Sequence, residues 1–164
     1  MEHLGTLIFF CGKMAAGKST KAVKVSSEEN AVLISEDEWL ATLFPNKIQS
    51  FEEYLVLSAR IKPLIKKHVQ DILKSGTSVV MDFPANTKSQ RLWFRTIYAE
   101  IKAPYQLIYL KMSDAACLEQ LAKRRITNPE RAAFDNEEVF KQITRFFEEP
   151  EDEEGFEISL FSKA

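Results

Sequence analysis

The chain has 164 residues, 45% of them hydrophobic and 28% charged, with a net charge of −2. This is one domain's worth of chain, able to bury a core, and it lacks the basic excess of a non-specific nucleic-acid binder. Two cysteines, Cys11 and Cys117, exclude a disulfide framework and read as buried free thiols of a reducing cytosol. No basic segment precedes an apolar run at the start, and no apolar run approaches the ~18 residues of a membrane span. A cytoplasmic chain is therefore expected, a monomer or weak homodimer with no membrane partner.

Leu4 to Cys11 is a short apolar run followed by glycine, the pattern of a strand buried on both faces. A helix is expected from about Lys18. Ala31 to Ser35 is a second strand, and the acids after it suit a helix N-terminus. Ser50-x-x-Glu53 opens a long amphipathic helix with apolar positions Tyr54, Leu57, Ile61, Leu64, Ile65, Val69 and Ile72. Pro63 should kink or split it, and Gly76 should cap it. Thr77 to Phe83 is the third strand, and Thr87-x-x-Gln90 starts a helix to about Ile101. Tyr105 to Met112 is the fourth strand. Ser113 caps a helix to about Arg125, and Asp135-x-x-Glu138 caps another to about Glu148. The acidic stretch from Glu148 to Glu154 reads as a solvated loop, and Gly155 to Phe161 as the fifth strand. Alternating strands and helices imply right-handed βαβ units and a parallel sheet covered on both faces. Ligands of such sheets bind at the C-terminal strand ends, so the residues after Cys11, Ser35, Phe83 and Met112 are the ones to examine.

Gly12-Lys13-Met14-Ala15-Ala16-Gly17-Lys18-Ser19 satisfies G-x-x-x-x-G-K-[ST] in full, with a strand before it and a helix after. Its glycines let the backbone turn tightly, so that several N–H groups converge on one anion, and the helix adds its positive end. The motif predicts ATP binding by Gly12 through Ser19 and the adjoining Thr20, with Lys18 on the β- and γ-phosphates and the Ser19 hydroxyl on Mg²⁺. No Asn-Lys-x-Asp guanine motif is present.

Asp37, just past the second strand, is a candidate general base beside the γ-phosphate; alternatively Glu36, Asp37 and Glu38 only enrich a helix start. Asp82, ending the third strand, is a candidate for holding Mg²⁺ through water, for placing a substrate, or for capping the next loop. Asn86 is either a substrate contact or a turn residue. Arg124, Arg125 and Arg131 bracket the place of a small lid, about residues 124–135, where arginines would meet transferring phosphate. Arg124 and Arg125 also suit a helix C-terminus. Arg60, Arg91 and Arg95 could each reach a substrate, although surface ion pairs are the commoner role for such residues. His3 and His68 match no metal-ligand spacing. Trp93 reads as core, and Trp39 as core or pocket wall.

The chain resembles the small P-loop kinases of the adenylate-kinase-like group. Within them it is similar to the "AAA family ATPase" proteins related to polynucleotide kinase, chloramphenicol phosphotransferase and zeta toxin. The pieces that carry the likeness are Gly12 to Ser19, Ile34-Ser35-Glu36-Asp37, Asp82-Phe83-Pro84-Ala85-Asn86-Thr87 and Arg91-Leu92-Trp93-Phe94-Arg95. Leu121-Ala122-Lys123-Arg124, Ile143-Thr144-Arg145-Phe146-Phe147, Pro150 and Glu154-Gly155-Phe156 complete them. The resemblance implies a three-layer α/β/α P-loop fold, with a five-stranded parallel sheet of order 2-3-1-4-5 and a short helical lid. It also implies that Asp37 is the catalytic base and that Arg124 grips the phosphates. Two departures stand out: the loop after Phe83 matches no nucleotide, polynucleotide or antibiotic site, and Arg125 to Arg131 carries only one arginine at its far end.

Two functions are consistent with these features. One is a kinase moving the ATP γ-phosphate to a hydroxyl, with a small-molecule acceptor favoured over nucleic acid. The other is a nucleotide-dependent switch with weak hydrolysis and no acceptor. Lys47, Arg60, Lys62, Lys66 and Lys67 would supply the basic path that a polynucleotide needs, although lysines on an exposed helix face commonly serve solubility.

Overall fold

Strand β1 (Leu7–Cys11) is buried along its whole length, and its side chains alternate between two cores. Leu7, Phe9 and Cys11 face one layer, whereas Ile8 and Phe10 face the other. This is the period-2 geometry of a central strand, and it explains why the apolar run has no polar face. The computed structural model describes residues 3–129 and 135–163.

The remaining elements are α1 (Lys18–Glu28), β2 (Val32–Ser35), α2 (Glu36–Leu43), α3 (Phe51–Lys74), β3 (Val79–Pro84) and α4 (Lys88–Ala99). They are followed by β4 (Tyr105–Met112), α5 (Asp114–Thr127), α6 (Glu137–Thr144) and β5 (Ile158–Lys163). The sheet order is β2-β3-β1-β4-β5, and every pairing is parallel. The three-layer arrangement and the strand order implied by the resemblance are therefore the ones found. One face is covered by α3 and α4 through Ile61, Ile65, Val69, Leu73, Phe94, Ile97 and Tyr98. Helix α1 covers the other face with Ala22 and Val25. Phe9 and Phe94 stack with ring centroids 4.5 Å apart, which pins α4 to the central strand.

Several boundaries and roles depart from expectation. Helix α3 is continuous over 24 residues despite Pro63. Pro63 and Ala59 both lie on its exposed face, so water can satisfy the Ala59 carbonyl that loses its donor. Leu64, assigned to the apolar stripe, is 65% exposed; the buried stripe runs instead through Ser58, Ile61, Ile65, Val69 and Leu73. Helix α6 is capped by Asn136, whose side chain accepts from the Val139 N–H, and not by Asp135. It ends at Thr144 rather than near Glu148. The fifth strand starts three residues later than expected, because Asp152–Glu154 forms a short 3₁₀ turn closed by the Gly155 N–H on the Asp152 carbonyl. The acidic stretch is not simply solvated. Glu149 pairs with Lys111, Glu151 with Lys88 and Glu154 with Arg91. Among the described residues, no helix is long and apolar enough to cross a membrane.

Because Pro63 interrupts the hydrogen-bond ladder of an otherwise regular helix, Pro63→Ala should stabilise the chain by about 1–3 kcal/mol. Urea denaturation of both proteins checks this; a loss of stability would mean that the proline ring packs better than its exposure indicates.

Candidate functional site

The phosphate loop joins β1 directly to α1, at the C-terminal edge of the sheet. Gly12 is buried against β4. A Cβ there would come to 3.0 Å from the Leu110 carbonyl oxygen and 3.3 Å from the Ala16 Cβ, so a side chain would push the loop off the strand. Gly17 precedes α1 at φ 95°, a left-handed conformation natural to glycine. Ala15, at φ 63°, is also left-handed. An L-residue adopts that conformation at a cost of about 1 kcal/mol, and such strain gathers in functional loops. The Ala16 N–H closes a tight turn on the Lys13 carbonyl at 3.0 Å. Helix α1 has no side-chain cap and no acid in its first turn, so its N-terminal donors are free of an internal carboxylate.

Lys18 is half-buried, and its ammonium donates to the carbonyls of Gly12 and Lys13, the latter at 3.1 Å. Burial lowers its pKa; Cys11, Asp82 and Cys117 act in the opposite direction, and nearby Arg124 pushes it lower. Asp82, at the end of β3, has its carboxyl pKa raised by burial. The Ser19 hydroxyl, hydrogen-bonded to it, pulls the value back; Asp37 raises it, and Lys18 lowers it. Lys18, Ser19, Asp37 and Asp82 thus form one electrostatic neighbourhood spanning the ends of β1, β2 and β3. Asp37 lies in the first turn of α2 and is exposed, whereas its neighbour Glu36 is buried. The Glu36 carboxylate accepts from the Tyr54 hydroxyl and, at 2.7 Å, from the Ser58 hydroxyl. Burial raises its pKa, and the two hydroxyl bonds oppose that rise. Tyr54 and Ser58 sit four apart on α3, so Glu36 anchors α2 onto α3 and thereby places Asp37.

Arg124 and Asp135 form a two-pronged ion pair at 2.8 and 2.7 Å, and Asp135 has no exposed surface. Arg124 is thus fixed to the segment ahead of α6, and its charge is felt at Lys18. Arg125 is exposed in the last turn of α5. Arg131 and residues 130–134 of the expected lid lie outside the described residues. Lys13 pairs with Asp114 at 2.7 Å, and its ammonium lies 5.7 Å from the centre of the Phe147 ring. Met14 and Ala15 pack on Ala16, Cys117, Leu121 and Phe140, which joins the loop to α5 and α6. Thr20 is exposed in the first turn of α1.

Two residues play parts that sequence reasoning missed. Asn86 is neither a bare turn residue nor committed to a substrate, because its side-chain oxygen accepts the Gly12 N–H at 2.9 Å. Arg91, expected at the surface, is fully buried. Its guanidinium donates to both Glu154 carboxylate oxygens at 2.8 and 3.1 Å, to the Ala85 carbonyl at 2.9 Å and to the Glu148 carbonyl at 2.8 Å. One signal was available: Arg91 is spaced three and seven residues ahead of Phe94 and Tyr98, which puts it on the buried stripe of α4. Arg95 also turns inward, donating to the Glu154 carbonyl and lying 4.1 Å from the Phe156 ring centre. Trp39 packs against the core and lies 6.3 Å from His68. Trp93 packs on Phe83 and Phe94.

The donor set fits Mg²⁺. Ser19 and Asp82 offer hard oxygen ligands, and Mg²⁺ commonly takes one or two protein oxygens, completing its shell with phosphate and water. Among the described residues no group of three or more His, Cys, Asp or Glu side chains makes a self-sufficient metal site.

A family model for an AAA domain matches residues 7–150. No curated protein matches the sequence. Among solved structures, a Chloroflexus aurantiacus protein assigned as a kinase superposes with a TM-score of 0.75 at 16% identity, covering 98% of this chain and 89% of its own. The Mycobacterium tuberculosis APS kinase CysC, solved with AMPPNP and APS, gives 0.66 at 15% identity, with coverage of 98% and 89%. Chaetomium thermophilum Kti12, solved with ADP-AlF3, gives 0.67 at 16% identity, with coverage of 95% and 88%. The fold is thus that of the P-loop nucleotide-binding kinases.

The Arg91–Glu154 pair yields a pH prediction. Burial alone would raise the Glu154 pKa, but the hydrogen bonds from Arg91 and the Glu151 N–H and the Arg91 charge outweigh it and leave it lowered. A lowered folded pKa means stability that is complete above the ordinary glutamate range and lost as pH falls through the folded value. Glu154→Gln should therefore cost about 2 kcal/mol near neutral pH, with the difference from wild type shrinking in acid. Denaturant titrations across that range read it directly; a gap that stays constant with pH would disprove the linkage.

Proposed function

The chain belongs to the AAA domain family, and from that premise we propose that it is an ATP-dependent phosphotransferase acting on a hydroxyl acceptor. One observation carries the reading: Asp82 is hydrogen-bonded by Ser19 and feels the charges of both Lys18 and Asp37. Phosphate-binding, metal-binding and proton-accepting groups thus face one another across adjacent strand ends. The nucleotide complexes of CysC and Kti12 support ATP as the donor.

In this reading the N–H groups of Gly12 to Ser19, with Thr20 in the adjoining turn, receive the phosphates, and the α1 N-terminus adds its dipole. Lys18 exchanges its carbonyl partners for the β- and γ-phosphate oxygens. Ser19 and Asp82 would hold Mg²⁺, which would supply charge neutralisation to the transferring phosphate. The acceptor oxygen attacks the γ-phosphorus as the bond to the β–γ bridging oxygen breaks and ADP leaves. Asp37, exposed at the end of β2, takes the acceptor's proton. Its neighbour Glu36 is buried, and two hydroxyl bonds commit that carboxylate to holding α2 on α3. Arg124 serves the spreading negative charge through Nη1, the terminal nitrogen outside its fork on Asp135. Arg131 is a second phosphate contact by the position of its sequence alone. A small-molecule acceptor is favoured over nucleic acid, because α3 carries the acids Glu52, Glu53 and Asp71 alongside its lysines.

Asp37→Asn should lower transfer of labelled γ-phosphate to an acceptor by at least about a hundredfold, with ATP affinity within a few-fold of wild type. Screening hydroxyl compounds with labelled ATP supplies the acceptor for that assay. Undiminished transfer by the variant would remove Asp37 from the mechanism. Hydrolysis that no acceptor alters would instead favour a nucleotide-dependent switch.

A further inference from the structure

The phosphate loop contains two left-handed residues; within it the Ala16 N–H closes on the Lys13 carbonyl, and the Lys18 ammonium donates to the carbonyls of Gly12 and Lys13. The loop is also held from outside. Its first N–H, on buried Gly12, donates to the Asn86 side-chain oxygen at 2.9 Å, across 74 residues of sequence. Asn86 is in turn held on both sides of its backbone. Its N–H donates to the Gln90 side-chain oxygen at 2.8 Å, and its carbonyl accepts the Glu148 N–H at 2.8 Å.

Arg91 closes the frame around Asn86. Nη1 donates to the carbonyl of Ala85, the residue just before Asn86, and Nη2 donates to the carbonyl of Glu148, the residue whose N–H reaches Asn86. The same guanidinium is locked by both oxygens of Glu154. The start of α4, the loop after β3, the 148–154 segment and the phosphate loop thus form one hydrogen-bonded ring.

We infer that Asn86 is a positioning residue for the phosphate loop, and that Arg91 with Glu154 makes the 148–154 segment part of that support. Asn86 fixes the point where the loop leaves β1, so the following N–H groups converge on the nucleotide phosphates without having to be ordered on binding. This rests on nucleotide binding by the loop, as the proposed function does, but not on any acceptor.

Variants of the full chain test it, by amide hydrogen exchange at Gly12 and by titration with a fluorescent ATP analogue and Mg²⁺. Asn86→Ala should speed exchange at Gly12 at least about tenfold and weaken analogue binding by about the same factor. The melting temperature without nucleotide should move little, a split that a merely structural role would not give. Asn86→Asp keeps an acceptor oxygen in place and should retain slow Gly12 exchange, which separates the strap from any contact made by the side-chain NH₂. Should Asn86→Ala fail to fold, Asn86→Ser, whose hydroxyl is too short to span to Gly12, gives the same readings. Glu154→Gln should speed Gly12 exchange in the same direction by a smaller factor. Wild-type exchange and affinity in Asn86→Ala, or in Asn86→Ser where that variant substitutes for it, would overturn the strap; unchanged Gly12 exchange in Glu154→Gln would overturn the clamp. A wild-type chain that binds no ATP analogue would overturn the proposed function, while Gly12 exchange would still decide the strap.

Discussion

A guanidinium with no exposed surface has to be matched on every side, and Arg91 is matched by a carboxylate and two backbone carbonyls. Burying that charge without partners would cost several kcal/mol, so the segments that supply them are bound into one unit. They come from the loop after β3 and from the 148–154 segment. The first reaches the phosphate loop through Asn86 and Gly12, and the second is joined to it through the Asn86 carbonyl.

The same economy appears at the other side of the loop. Glu36 is a buried acid whose two hydroxyl partners stand on α3. It fixes the start of α2, and the exposed carboxylate of Asp37 follows from that placement. Adjacent acids in one turn are thus divided by environment: one is withdrawn from water and structural, the other faces solvent near Lys18, Ser19 and Asp82. Arg124 repeats the pattern, since a fully buried Asp135 holds its guanidinium on two nitrogens. In each case a buried partner decides the position of a neighbouring or paired charge.

Much of this architecture is written in local pattern. The G-x-x-x-x-G-K-[ST] loop, the apolar runs of β1, β3 and β4 and the Thr87 capping box need only neighbours in sequence, and all stand where local physics puts them. Helix ends were less legible wherever a side chain had two uses. Asp135 looks like an N-cap until Arg124 claims it, and Asn136 then caps instead. Pro63 would break an isolated helix, but the buried stripe of α3 outweighs a single lost hydrogen bond on a solvated face.

By itself the sequence determined the strand–loop–helix that carries the G-x-x-x-x-G-K-[ST] motif, the alternation that yields a parallel sheet, and the acids at the ends of β2 and β3. Those features depend on residues within a few positions of one another, and through resemblance they also carry the strand order. Only the tertiary structure decided which charges are buried. Arg91 and Glu154 lie 63 residues apart, and Gly12 and Asn86 lie 74 apart. Exposure is a property of what packs against a residue, and the same arginine is a surface ion-pair residue or a buried clamp according to segments that its own neighbours do not specify.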